Sequence, residues 1–196
     1  AQRKFGATGG IGQGSELVVA SAVNDAARFD IVTRAGVQAI DRVKVDGIAG
    51  LKLTTATSEL DVQSVSNISV QGARLTNLSG DLVLQTRSDA NVKAIADTVT
   101  LAGIGGANAN ALGSLLSDNL ITISDSQLSG TSLKLRAGQE NGVGNILFGT
   151  AKADLMTVAL AGISVPDVRM EVIENNAVRV LGVSELRAIA DIDLVA

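Results

Sequence analysis

The chain has 196 residues, enough to bury a substantial core, and 46% of them are hydrophobic although only 2% are aromatic. It contains no His, Cys, Trp or Tyr, which excludes Ser-His, Cys-His and His-metal centres as well as disulfides. A net charge of -4 without clustered cations argues against nucleic acid as a partner. Polar residues interrupt every apolar run before the roughly 18 to 20 residues of a transmembrane helix. The composition therefore predicts a soluble or peripheral protein.

The chain starts with Ala1 and Gln2 and continues into a glycine-rich segment, GATGGIGQG, at residues 6–14. The start fits the product of signal-peptide cleavage, so secretion is predicted. The glycine segment resembles the dinucleotide-binding loop of malate dehydrogenases and other Rossmann enzymes. That loop needs a buried strand before it and a helix after it, and residues 1–5 are too short and polar for such a strand. A flexible terminal or docking segment is predicted instead, and no cofactor.

Short alternation of apolar and polar residues dominates the rest of the chain and predicts strands with one buried face. Residues 16–28 fit either helix or strand. The clearest alternating segments lie at residues 43–46, 51–53, 60–62, 68–70, 82–84, 121–123, 133–135, 168–170 and 178–180. Residues 103–106 form a second glycine segment, also expected to be flexible. Only residues 108–120 favour a helix, because Leu112, Leu115, Leu116 and Leu120 recur at helical spacing.

An internal similarity divides the chain into two units, residues 1–101, which include the glycine-rich N-terminal segment, and residues 102–196. The sequence AIAD at residues 94–97 recurs at residues 188–191. Upstream segments align at nearly the same offset, with Leu60 matching Leu155. The duplication predicts that Ile95 and Ile189 lie at equivalent buried positions.

The predicted fold class is all-β, with two architectures left open. One is a β-solenoid, whose narrow interior suits stacked aliphatic side chains, and the other is a pair of tandem β-sandwiches built from the duplicated units. Residues 126–138 and 145–148, and similarly residues 81–86 and 91–94, resemble rungs of the filamentous-haemagglutinin type of secreted β-helical adhesin. This resemblance implies a secreted right-handed β-helix.

Candidate chemistry is sparse, and no catalytic, cofactor-binding or metal-binding residue is predicted. Asp191 with Asp193, and Asp41 with Asp46, are carboxylate pairs close in sequence, but sugar sites commonly also stack aromatic rings, which this chain lacks. Ser117-Asp118-Asn119 and Asp167 could offer oxygen ligands to calcium if they lay in loops. The threonine-rich residues 54–57 are expected to be ordinary exposed strand residues.

By elimination, the sequence predicts a non-enzymatic structural subunit of an extracellular fibre, sheath or biofilm matrix. Its main partner would be copies of itself, joined by main-chain strand pairing that needs no special side chains. Residues 1–5 could reach a neighbouring molecule, and the strand pattern that runs to Ala196 invites a partner strand. Cell-surface or matrix components are further candidate partners. The alternative is a secreted adhesin or ligand-binding β module.

Overall fold

The computed structural model describes residues 2–19 and 21–196, and within them the protein is all-β, without a helix. This confirms the predicted fold class at its coarsest level. Ala1, the first residue of the segment expected to reach a neighbour, lies outside the described residues. The strands are β1 (Gln2–Val19), β2 (Ala22–Asn24), β3 (Arg28–Gln71), β4 (Arg74–Asn77), β5 (Asp81–Ser124), β6 (Gln127–Gly130), β7 (Leu133–Ala137), β8 (Gln139–Glu140), β9 (Val143–Gly144), β10 (Ile146–Leu181), β11 (Glu185–Ala188) and β12 (Ile192–Val195).

Almost all strand pairing is parallel and joins segments that are far apart in the chain. Arg28, at the start of β3, pairs with Asp81, at the start of β5. Strand order in the main sheet is β1-β3-β5-β7-β12, with β10 also pairing with β5, and the short strands form a second parallel sheet in the order β11-β6-β4-β2. We therefore call residues 28–80, 81–132 and 133–191 the first, second and third rungs.

Each long strand doubles back on itself, so that a rung has an outgoing half and a return half in two facing layers. Thr33 Oγ1 in the outgoing half of β3 lies 2.9 Å from Ser66 Oγ in its return half. Nearer the reversal, Ser58 Oγ donates to Asp41 Oδ2 at 2.6 Å. We call the reversals, at residues 47–54, 100–107 and 157–164, the tip. The opposite end, which carries the short strands, is the base.

The alternating sequence pattern places every second side chain between the two layers. The largest buried cluster lies at the base and is built mainly of Leu and Ile, as in Leu84, Ile123 and Leu135. A middle cluster mixes Val, Leu and Ala. The cluster nearest the tip contains Val45 and the alanines at positions 56, 96, 109 and 111. The core therefore tapers from large to small side chains along each rung.

The third rung contains an insertion relative to the second. Leu82 pairs with Leu133 at the start of the two rungs, whereas further along Asp89 pairs with Ile146, so the third rung has used more residues between these two positions. The additional residues correspond to the β8–β9 hairpin, residues 139–144. Its turn residues, Asn141 and Gly142, have φ of 49° and 82°, as an Asn-Gly hairpin turn requires.

The helix predicted at residues 108–120 is wrong, because the whole segment belongs to β5. Burial there alternates from one residue to the next and does not follow the helical period. Ala111, Leu115 and Asn119 point between the layers, while Leu112, Leu116 and Leu120 lie on the partly exposed outer face. The leucine spacing resembled a helix because both faces of this strand carry leucine.

Both glycine segments are also strands, so their predicted flexibility is wrong. Residues 6–14 lie within β1 and pair with residues 57–65 of β3. Residues 103–106 lie within β5 at the tip. There a Cβ on Gly105 would lie 2.7 Å from the carbonyl oxygen of Lys52 in the rung below, so glycine serves close packing rather than flexibility.

Strand pairing joins each rung to the next and does not follow the spacing that aligns residues 94–97 with residues 188–191. Ile95 is half-buried on β5, opposite Arg42 and Lys152, whereas Ile189 lies outside the strands and is 85% exposed. The predicted equivalence of these two residues is therefore wrong. Leu60 and Leu155 differ likewise, because Leu60 is buried in the return half and Leu155 is half-buried in the outgoing half. The predicted boundary between 101 and 102 falls within β5.

Candidate functional site

The third rung leaves the interior of the two-layer stack uncovered. Along one inner column, Val62 and Leu115 are 3% and 1% exposed, whereas Val172 above them is 44% exposed. An inner column nearer the base behaves in the same way, because Ile123 is buried and Val180 above it is exposed. In these two columns, the inner side chain is buried where strands lie on both sides of it and exposed where one side is open. The third rung therefore presents an apolar surface of the kind that a further rung would cover.

The backbone at this open end is also unpaired on one side. β10 forms its ladder with β5, and within residues 2–19 and 21–196 no strand pairs with its other edge. β12 covers only β7, where Ile192 and Leu194 remain half-exposed. Pro166, which has no backbone N–H, lies in β10, where an edge strand tolerates it. A free parallel edge of this length offers a row of donors and acceptors to another strand.

A free edge also exists at the opposite end of the stack. β1 pairs with residues 53–70, the return half of β3. The outgoing half of β3, which pairs with β5 on one side, has no partner on the other among the residues that the structure describes. Both ends of the molecule therefore present parallel strand edges of the same direction.

The β8–β9 hairpin braces the outer face of the outgoing halves near the base. Arg34 of the first rung donates two hydrogen bonds to the carboxylate of Glu140. Arg28 donates another to Asn141 Oδ1 at 2.7 Å. The Arg34 guanidinium holds the pKa of Glu140 below its usual value. Lys134 likewise lowers the pKa of Asp81, to which it donates a 2.7 Å hydrogen bond.

A polar network crosses the interior between the base and middle clusters. Asn119 Oδ1 accepts a hydrogen bond from Ser88 Oγ at 3.0 Å, and its Nδ2 donates to Asn176 in the third rung at 3.0 Å. Asn176 and Asn145 both donate to Glu174 at 2.7 Å. These partners lie in different rungs and different layers. The network could not be predicted from the sequence, because nothing in the local pattern joins positions so far apart in the chain.

The structure separates the carboxylate pairs that the sequence brought close. Asp41 points between the layers and accepts a hydrogen bond from Ser58, while Asp46 lies on the outer face beside Lys44. Asp193 forms an ion pair with Arg136 at 2.6 Å, and its neighbour Asp191 lies outside the strands. Neither pair faces a common substrate position, so the geometry offers no acid–base couple there.

The candidate calcium ligands at residues 117–119 are not in a loop, because they lie within β5. Ser117 and Asn119 point inward, whereas Asp118 lies on the outer face and accepts a hydrogen bond from Asn175 at 2.9 Å. Asp167 borders a shallow hollow with Glu59, Asp61 and Glu171. In the described part of the chain, no group of three or more acidic residues is arranged to hold a metal ion.

The threonines at residues 54–57 are less exposed than predicted. Thr54 is fully buried between the layers, and Thr55 is buried on the opposite face of the strand. The predicted exposure is therefore wrong for Thr54 and Thr55.

No helix capable of crossing a bilayer occurs in residues 2–19 and 21–196. No family model, curated protein or solved structure matches the chain significantly.

Proposed function

We propose that this protein is a structural subunit of an extracellular fibre, sheath or biofilm matrix, and that its copies assemble by stacking rung upon rung. In this proposal the rungs form a β-solenoid, the fold that the resemblance to haemagglutinin-type adhesins implies, and the assembly is secreted. The observation that carries the proposal is the uncovered third rung, where inner side chains and a free strand edge coincide.

Stacking would act on both features of the open end, the exposed inner side chains and the unpaired strand edge. A further rung buries the inner apolar side chains and pairs the free edge of β10, each backbone hydrogen bond contributing roughly 0.5 to 1.5 kcal/mol net. Repeat architectures normally end in a rung with a polar outer surface. The third rung instead ends in inner residues such as Val168, Val172 and Val180, which are exposed.

The direction of the strands favours a fibre over a closed dimer. The free edges at the two ends of the stack belong to parallel strands that run in the same direction. Contact between one copy's third rung and the opposite end of the next copy, formed by β1 and the outgoing half of the first rung, is therefore heterologous. Heterologous contacts repeat without limit unless a rotation closes them into a ring.

The matched variants Val172→Asp and Ile173→Asp test this proposal. Both residues are 44% exposed and adjacent in β10, but Val172 points between the layers and Ile173 points outward. A stacked rung would bury a carboxylate at 172 without a partner, which is costly. We expect the Val172→Asp variant to lower the apparent association constant about tenfold or more, and Ile173→Asp to change it little.

Light scattering and negative-stain electron microscopy over a range of concentrations measure the assembly, and circular dichroism checks that both variants stay folded. Equal effects of the two substitutions would contradict stacking through the interior. A wild-type chain that stays monomeric at high concentration would overturn the fibre proposal and favour the adhesin or ligand-binding module.

A further inference from the structure

The two ends of the stack carry different halves of a rung. At one end, β1 pairs with residues 53–70 of β3, while the outgoing half of β3 has no partner beyond it within residues 2–19 and 21–196. At the other end, β12 pairs with β7, the beginning of an outgoing half, while in the same described residues the return half of β10 has no partner beyond it. Two copies stacked end to end would bring the return half in β1 and the outgoing piece in β12 to the same level.

Four strands line the return side of the stack in the order β1, β3, β5 and β10, and their columns keep the same class of residue from end to end. Three columns that contain exposed valines of β10 are aliphatic at all four levels. These columns are Ile11-Val62-Leu115-Val172, Leu17-Ile68-Ile121-Val178 and Val19-Val70-Ile123-Val180. A second copy whose β1 continued this register would place an aliphatic residue over each of these valines.

The column of Met170 alternates in side-chain size. It reads Gly9-Leu60-Gly113-Met170 from one end of the stack to the other. Met170 occupies the space beside Gly113, where an added Cβ would lie 2.6 Å from the Met170 Sδ atom. A further level in the same register would bring Gly9 next to Met170, which continues the alternation of small and large residues.

A polar column distinguishes this register from its neighbours. Glu174 stands in a column that begins with Gln13. A slip of two residues would set Gln13 over Val172 in one direction, and Ile11 over Glu174 in the other. Either slip buries a polar group against an aliphatic one, which is costly, and a slip of one residue exchanges the two faces of the strand. The residue pattern therefore favours a single register.

The base cluster is incompletely covered at both ends of the return side. Val19 at the β1 end and Val178 at the β10 end are only partly buried where they pack against this cluster. Leu17 and Val180 beside them are 38% and 41% exposed. On the outgoing side, Leu194 of β12 lies over the same cluster and is 50% exposed. Contact between the two ends would join the base clusters of two copies.

We infer that β1 of one copy pairs in parallel with the return half of β10 of the preceding copy, with Val18 beside Arg179, and forms a composite rung with the β12 of that preceding copy. This inference rests on the proposed stacking and names the strands and the register that join two copies. The new ladder covers residues 163–180 of β10, the counterparts of residues 2–19. Neither copy supplies the rest of an outgoing half, so residues 146–157 keep their free edge at the junction.

Cysteine cross-linking measures this register, because the chain contains no Cys. Val18 is 70% exposed and Arg179 is exposed, so replacing either one leaves the core intact. Residues paired in adjacent parallel strands have Cα atoms about 4.8 Å apart, within the roughly 4.4 to 6.8 Å that a disulfide spans. On mild oxidation, a mixture of the Val18→Cys and Arg179→Cys variants should form a mixed disulfide dimer. Isotope labelling of one variant identifies the mixed dimer by its mass.

Arg169→Cys is the matched control for Arg179→Cys. Arg169 lies on the outer face of the same strand with its side chain 72% exposed, but it is roughly 33 Å from Arg179 along β10. Mixed with Val18→Cys, it should give at least tenfold less mixed dimer. Cysteines at outer-face positions 175, 177 and 181 extend the comparison, and the yield should be highest at position 179.

Assembly seen by light scattering, with equal yields at positions 169 and 179 or a maximum at another position, would overturn this inference and leave stacking intact. Arg179→Cys homodimers in excess of the mixed dimer would mean that two third rungs face each other, which also contradicts the inferred pairing. A wild-type chain that stays monomeric at high concentration, with no mixed disulfide from the variants, would overturn both the inference and the proposed function. Circular dichroism establishes that each cysteine variant is folded.

Discussion

The base and the tip are made from the same three rungs, yet they distribute apolar side chains in opposite ways. At the base, Leu84, Ile123 and Leu135 fill the space between the layers and are fully buried. At the tip, alanines such as Ala109 lie inside while Leu51 and Ile104 stand outside. Large inner side chains hold the layers apart, and small ones let them converge toward the reversal. The base therefore supplies most of the stabilising core, and the tip supplies an exposed surface.

The largest expected effect comes from removing volume at the base. Leu84 is fully buried in a column with Ile31 and Leu135. Leu84→Ala should destabilise the fold by about 2 to 5 kcal/mol, because it removes buried methyl groups and leaves a cavity. Urea denaturation followed by circular dichroism measures the change.

The control is Leu101→Ala, the same substitution on the partly exposed outer face of β5 at the tip. It should lower the free energy of unfolding by less than about 1 kcal/mol. Equal costs would contradict a core concentrated at the base.

A smaller effect is expected from adding volume inside the tip. Ala109 is fully buried among other alanines, between layers that lie close together. Ala109→Leu should destabilise by roughly 1 to 3 kcal/mol through overpacking. Ala177→Leu adds the same volume on the outer face of β10 and should be nearly neutral, which makes it the control in urea denaturation. A neutral Ala109→Leu would mean that the tip has internal space and that the core does not taper toward it.

The smallest effect concerns the hairpin that braces the base and has no counterpart at the tip. The pKa of Glu140 in the folded state lies below its ordinary value of 4.5, chiefly because Arg34 donates hydrogen bonds to its carboxylate. The pair therefore contributes stability above pH 4.5, and this contribution is lost as the pH falls through the folded-state pKa.

Replacing Glu140 by Gln should lower the urea midpoint at pH 7 and lower it less at pH 3. The effect at pH 7 should be modest, since the Arg34 side chain is largely exposed and the pair is screened by solvent. Glu171→Gln, which removes an exposed carboxylate paired with Arg169 on its own strand, is the control. A Glu140→Gln effect that is the same at both pH values would show that the charge of the pair plays no part.

Much of the strand content could be predicted from local alternation. The segments containing Ile68 and Val70, Ile121 and Ile123, and Leu133 and Leu135 place those side chains inward, as one buried face requires. The segment Leu51-Lys52-Leu53 follows the same alternation but turns its leucines outward and Lys52 inward. Alternation identifies two faces of a strand and does not say which one meets the core. The tip was missed for this reason.

The open end could not be predicted either, because it depends on which segment lies above which. Val172 and Leu115 have the same local pattern and differ only in whether another rung covers them. The predicted equivalence of Ile95 and Ile189 was wrong for the same reason. Similar short sequences do not reveal the register in which parallel strands pair.

The amino-acid sequence by itself determined that the chain forms strands, that aliphatic side chains build its interior, and that histidine- and cysteine-based chemistry is absent, because these follow from residue type and period-two alternation. Only the tertiary structure decided which segments pair as successive rungs, where the chain reverses at the tip and which rung remains uncovered. Parallel pairing joins residues far apart in the chain, and its register is set by the combined packing of whole rungs rather than by any local segment.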